Sequence, residues 1–209
     1  MMIRDYQEAD YQACETLVDQ AWEFHRHFQP TSLYDYSKYL YTMSSIESSN
    51  FKKVVEIEGK VRGFLFAYNE VAPKPQSLWK MLLSQLHLIK TLLLMSGLTL
   101  KEKFSYLAMF NEHEANRHKI EERGASEINL FVIEEGFRGR GIGSQLIDSF
   151  IQFCKTLKVK RIIVEANLDQ ASKFYEKQGF CIISSFESPL HSLVAGEDSK
   201  ALLMERYIY

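Results

Sequence analysis

Arg138-Gly139-Arg140-Gly141-Ile142-Gly143-Ser144 lies between two hydrophobic segments of different period, and its reading decides the fold. Before it, Ile128-Asn129-Leu130-Phe131-Val132-Ile133 is short, apolar and β-branched, the pattern of a buried strand. After it, Leu146, Ile147, Phe150, Ile151, Cys154 and Leu157 recur at three- and four-residue steps, the buried stripe of a helix. Lys155 and Lys158 fall near its end, where the helix dipole favours cations. A glycine-rich turn from strand into helix is suited to an anion, because backbone can approach a ligand and the first-turn N–H groups have no intrahelical partner. Each hydrogen bond to a charged group there is worth roughly 1.5–3 kcal/mol. The competing reading is a glycine loop that serves tight packing alone.

The spacing narrows the ligand. A Walker loop requires Lys-Ser/Thr after its last glycine, whereas Gly143 is followed by Ser144-Gln145. A dinucleotide fingerprint requires G-x-G-x-x-G, and the chain has G-x-G-x-G; Glu165, at the end of the next strand, keeps that alternative open. The pattern that fits without adjustment is Arg-x-x-Gly-x-Gly, Arg138 to Gly143. It resembles the acetyl-CoA pyrophosphate loop of the GNAT superfamily of N-acetyltransferases.

Outward from the loop, Met2-Ile3-Arg4 reads as a first strand, and Asp10 as the cap of a helix bearing Ala13, Cys14, Leu17, Val18, Ala21 and Trp22. His25-Arg26-His27 reads as a solvated helix end, since histidines one apart do not share a face. Tyr34–Met43 is a second, aromatic-rich helical segment. Phe51–Ile57 and Val61–Val71 read as strands of a hairpin turning at Glu58-Gly59-Lys60, with Pro73 and Pro75 ending the second. Arg161–Glu165 is a further buried strand. Asp169 can cap a short helix through Gln178 that Gly179 closes. Cys181–Phe186 is a strand, Glu187–Ser199 a polar loop containing Pro189 and Gly196, and Ala201–Ile208 a closing strand.

This order is similar to the GNAT layout from end to end. A second signature, Tyr175-Glu176-Lys177-Gln178-Gly179-Phe180, stands about thirty residues after the glycine loop with a helix and a strand between. The resemblance covers about three quarters of the chain and implies an α/β (α+β) fold. It implies a central, mostly antiparallel mixed sheet flanked by helices, in a single domain over 1–209. It also implies acetyl-CoA as acetyl donor, held by the backbone of Phe131 and Val132 and by Arg138, Gly139, Arg140, Gly141, Ile142, Gly143 and Ser144. Tyr175 matches the general acid toward the departing thiolate. Asn167 matches a cofactor-side asparagine, but lies eight residues before Tyr175 where relatives have seven. Glu127 is the candidate base, with Glu70 and His113 as others, each competing with the reading of an ordinary surface charge. An acyltransferase using another acyl-CoA, and a non-catalytic acyl-CoA sensor, remain alternatives.

At 209 residues the chain is long enough to bury roughly 70% of its unfolded surface. A formal net charge of −2 argues against nucleic acid or an acidic membrane as an obligatory partner. Met1–Asp10 has no apolar signal region, and Cys14, Cys154 and Cys181 form neither a disulfide framework nor a zinc site, so a cytoplasmic location and no metal are expected. His113 and His118, five apart, read as a solvated charged face. Aromatics between Trp22 and Tyr41 fit an acceptor pocket and a packed helix pair equally.

The 76–123 block has no counterpart in compact GNAT members. Lys80, Ser84, His87 and Thr91 form a narrow polar stripe on an otherwise apolar helix that Gly97 closes, and Thr99-x-x-Glu102 is a capping box opening the next. The first arm is too apolar to stand in water and too interrupted to span a membrane. It is expected to pack beside the acceptor end of the sheet or to make a homodimer there. The acceptor, a small-molecule or peptide amine, is not legible.

Overall fold

The computed structural model describes residues 1–73, 78–120, 125–167, 170–195 and 200–209. Strands β1 (Met2–Asp5), β2 (Phe51–Ile57), β3 (Lys60–Tyr68), β4 (Ser126–Ile133), β5 (Arg161–Asn167), β6 (Cys181–Glu187) and β7 (Lys200–Tyr207) form one sheet in the order β1-β2-β3-β4-β5-β7-β6. Every pairing is antiparallel except β4 with β5. The β2–β3 turn places Glu58 and Gly59 at φ 53° and 72°, the left-handed pair that a two-residue hairpin requires.

Helix α6 (Ile142–Thr156) lays Leu146, Ile147 and Phe150 against Val55, Leu65, Ile162 and Met204 on one face of the sheet. Helices α1 (Tyr11–Trp22), α2 (Phe24–His27) and α3 (Thr31–Ser48) cover the other, where Leu17, Val18 and Ile46 meet Val54, Phe64 and Phe66. Burying a side chain such as Phe64 contributes about 1.5–3 kcal/mol. Asp10 is not the side-chain cap of α1. Its carboxylate accepts from the Arg4 guanidinium at 2.7 and 2.8 Å and from the Gln7 amide at 2.9 Å. A charged partner from β1 outcompetes the helix amides and ties α1 to the sheet edge.

A bulge in β4 sets the geometry of everything that follows. Ala67 faces Ile128 and Phe66 faces Leu130, so Asn129 is an extra residue. It reverses the alternation: Ile128 joins the α6-side core, while Leu130 and Val132 join the α1-side core. The Asn129 amide donates to Ser48 Oγ and Ser49 Oγ at 3.1 and 2.8 Å, pinning the bulge to the end of α3. Pairing with β5 stops at Ile128↔Val164, although β4 continues to Ile133 and β5 to Asn167. The two central strands therefore part, and each leaves a backbone edge facing the gap.

Helices α4 (Leu78–Leu94) and α5 (Leu100–His118) form the hairpin between β3 and β4. Gly97 sits at φ 85° between them, and Thr99 and Glu102 make the reciprocal capping box. The boundaries Gln76 and Arg123, the strand-ending Pro75, the cap Asp169 and the loop glycine Gly196 lie outside the described residues. α4 buries Leu92 against α3, where Tyr36 donates to the Leu88 carbonyl at 3.0 Å, and leaves Trp79, Leu82, Leu83, Leu86 and Leu94 exposed to solvent. Of the two arms, α5 packs on β6 and on the helix that follows it, whereas α4 packs on α3 and α5. The expected loop after β6 is instead helical, α8 (Pro189–Ala195). Ser188 Oγ accepts the His191 amide at 3.1 Å and Pro189 occupies the first helical position, an N-terminus written in the sequence as Ser-Pro.

Candidate active site

The glycine loop and the strand gap form one continuous feature. Gly139 and Gly141 adopt φ 75° and 76°, with no protein atom within 4 Å of where a Cβ would stand. Gly143 has a different duty: its Cβ would meet the rings of Phe131 and Phe174 at 3.1 and 3.2 Å, so it lets α6 approach β4. No side chain caps α6, whose N-cap is Gly141, and first-turn N–H groups of a helix have no intrahelical partner. Arg138 Nε donates to the Ile133 carbonyl at 3.0 Å, fastening the loop to the end of β4. Arg140 donates to the Gly136 carbonyl at 2.9 Å, and Ser144 Oγ accepts from Gln178 at 2.9 Å. An open groove of about 720 Å³ runs from here along α1, past Val132, Ile133 and Arg138.

Across the gap, α7 (Gln170–Lys177) presents Tyr175, 5% exposed and ringed by Phe131, Phe174 and Phe180. Burial, with the nearby Tyr41 adding to it, pushes the Tyr175 hydroxyl well above its usual pKa, so it keeps its proton.

On the α1 face of the gap lies an aromatic chamber of about 100 Å³, bordered by Trp22, Phe28, Tyr41, Tyr106, Phe110 and Asn167, with Glu165 and two histidines at one side. Glu165 Oε1 is 2.9 Å from His191 Nε2, and Oε2 is 3.5 Å from His113 Nε2. Arg117 Nε stands 3.8 Å from Glu165, and the same guanidinium is ion-paired to Glu127. Burial pushes the Glu165 carboxyl up, but the His191 hydrogen bond and the basic groups around it outweigh this and hold the carboxyl below its ordinary range.

The expected residues thus divide. Phe131, Val132, Arg138 to Ser144 and Tyr175 gather around the gap, while Asn167 borders the aromatic chamber. Glu127 is held by Arg117, and Glu70 is exposed at the end of β3. The reading of His113 and His118 as one solvated face is corrected: His118 is solvated, but His113 is 7% exposed, because α5 turns it inward onto Glu165. Sequence reasoning missed His191, Arg117 and Ser188, and saw Glu165 merely as a ribose acid. The Ser188-Pro189 helix start was the signal that could have placed His191.

A central antiparallel sheet whose one parallel pair splays beside a glycine-capped helix is the GNAT fold. Residues 101–187 match the family model described as an acetyltransferase (GNAT) domain. Among solved structures it is similar to Ard1 from Thermoplasma volcanium, at 16% identity and a TM-score of 0.59, covering 100% of this chain and 97% of that one. An aminoglycoside 6′-N-acetyltransferase complexed with coenzyme A follows at 13% and 0.58, covering 100% and 98%. A ribosomal-protein-alanine N-acetyltransferase from Brucella melitensis matches at 17% and 0.55, covering 100% of both chains. At these identities the likeness establishes the fold. No curated protein matches the sequence.

Proposed function

We propose that the protein transfers an acetyl group from acetyl-CoA directly to a primary amine, working as a single domain with 76–123 as its insertion. The observation that carries this reading is the parting of β4 from β5 after Ile128↔Val164, beside the open glycine loop and Tyr175. In it, the amides of 141–144 with Arg138, Gly139 and Arg140 receive the pyrophosphate. The freed edge of Phe131 and Val132 pairs with the pantetheine arm as another strand would, and Asn167 borders the reacting end. The amine attacks the thioester carbon, and Tyr175 gives its proton to the sulfur as the C–S bond breaks. A protonated, buried phenol is what a sulfur-directed acid needs and what a sensor of acyl-CoA does not. Cys14, Cys154 and Cys181 are all free thiols, which suits a reducing cytoplasm. Among the described residues no helix is long and apolar enough to cross a membrane.

The test is release of coenzyme A thiol from acetyl-CoA across a panel of primary amines. Amine-dependent release is expected. Saturable acetyl-CoA binding with no release for any amine would leave a binding module and end the transfer reading.

A further inference from the structure

The transfer reading leaves two matters open: what carries the amine, and what takes its proton. Both answers lie in the chamber on the α1 face of the strand gap.

The walls are rings. Trp22 meets Tyr41 edge-on at 5.2 Å, Phe24 meets Tyr41 at 5.7 Å, and Tyr106 meets Phe28 and Phe110 at 6.1 and 5.1 Å. A cavity of about 100 Å³ has room for one small apolar group or ring, and ring faces attract an ammonium. Among the described residues Glu165 is the one carboxylate bordering it, already shared with two imidazoles and Arg117. A second cationic group on the acceptor would meet, among the described residues, rings and no further carboxylate.

The two histidines are not equivalent. Ionised Glu165 can only accept, which sets the His113 tautomer: Nδ1, 2.8 Å from Ser188 Oγ, takes the serine hydrogen, and the same oxygen accepts the His191 amide at 3.1 Å. That leaves the hydrogen of neutral His113 on Nε2, facing Glu165, and both ring nitrogens are committed. Burial lowers the His113 pKa, ahead of opposing contributions from Glu165 and Glu114, which keeps it neutral. His191 puts its Nε2 hydrogen on Glu165 at 2.9 Å and retains the Nδ1 lone pair, with its ring roughly parallel to that of His113. A carboxylate behind an imidazole fixes its tautomer and stabilises the imidazolium that forms.

We propose that the chamber is the acceptor site, that it takes a monoamine borne on a short apolar or aromatic body, and that His191, backed by Glu165, is the base that removes the ammonium proton. The proposal rests on the transfer reading. Of the three ammonium protons, one leaves through His191, one goes to the departing sulfur by way of Tyr175, and one stays on the amide. A C–N bond forms as the C–S bond breaks. His113 and Ser188 are positioning residues that orient Glu165 and α8.

The experiment compares wild type with His191→Gln, full chain, using benzylamine, spermidine and trifluoroethylamine, the last largely neutral at the assay pH. Wild type should prefer benzylamine to spermidine in kcat/KM. His191→Gln should lose about 10²-fold in kcat with benzylamine but stay within about 3-fold of wild type with trifluoroethylamine, which has no proton to give up before attack. An equal loss with both amines would make His191 structural, and a preference for spermidine would overturn the chamber assignment; either leaves acetyl transfer standing. Binding of acetyl-CoA without turnover of any amine would instead remove the transfer reading, and this inference with it. Should His191→Gln fail to fold, Trp22→Ala tests the chamber: its preference must shift toward bulkier arylalkylamines, and an unchanged preference counts against the site.

Discussion

Gly141 separates backbone strain from ligand binding in one position. It is the N-cap of α6 at φ 76°, ψ 0°, and a Cβ there meets no protein atom within 4 Å. Gly141→Ala therefore costs the left-handed penalty alone, about 1–2 kcal/mol. For a chain of this size that lowers Tm by about 2–8 °C. Gly59, at φ 72° in the β2–β3 turn and equally open, is the control: Gly59→Ala carries the same strain far from the site. Gly141→Glu adds a carboxylate where the pyrophosphate is to sit. Losing one charge-assisted hydrogen bond, about 1.5–3 kcal/mol, raises Kd by roughly 10- to 150-fold. At a coenzyme A concentration of 100 times the wild-type Kd, ligand stabilisation should drop from about 2.7 to about 0.3–1.3 kcal/mol. Thermal unfolding with and without coenzyme A reads both effects. A wild-type ligand shift in Gly141→Glu would refute the loop assignment, and a reduced shift in Gly59→Ala would refute the separation of strain from binding.

Three further outcomes are expected. Tyr175→Phe should lower single-turnover acetyl transfer by about 10²-fold with acetyl-CoA affinity nearly unchanged, and an unaltered chemical step would reduce the residue to packing. Arg4 holds the Asp10 carboxyl below its usual range, so the pair's stabilisation is complete above the ordinary carboxylate pKa and lost as pH falls toward the lowered one. Acid titration of stability should accordingly be flatter in Asp10→Asn, which should itself cost about 1–3 kcal/mol at neutral pH; parallel acid limbs would contradict this. Leu86, 62% exposed on α4, should tolerate Leu86→Asp within about 0.5 kcal/mol as a monomer, while a homodimer formed through this face should dissociate in sedimentation at equal concentration.

The strands, the glycine loop and α6 were legible because each rests on a local pattern: alternation, φ-demanding glycines, a 3.6-residue stripe. The Thr99–Glu102 box was legible for the same reason. What escaped was set by distance in sequence. Asp10 carries every mark of a helix cap, yet Arg4 on β1 claims its carboxylate. The bulge at Asn129 is a matter of register with β3 and of Ser48 and Ser49, eighty residues earlier, and nothing in Ile128–Ile133 announces it. His113, Glu165 and His191 come from α5, β5 and α8, and no spacing rule connects them. The apolar character of α4 was plain, but whether its face would be covered depended on how α5 crosses the sheet.

Amide hydrogen exchange with and without coenzyme A tests the central claim most directly, that the parted edge of β4 and the first turn of α6 together seat the acetyl donor. Exchange should slow at 130–133 and 141–144 on addition of ligand and stay unchanged at 51–57 in β2. Ligand-induced thermal stabilisation with unaltered exchange in both of the first two segments would place the donor elsewhere.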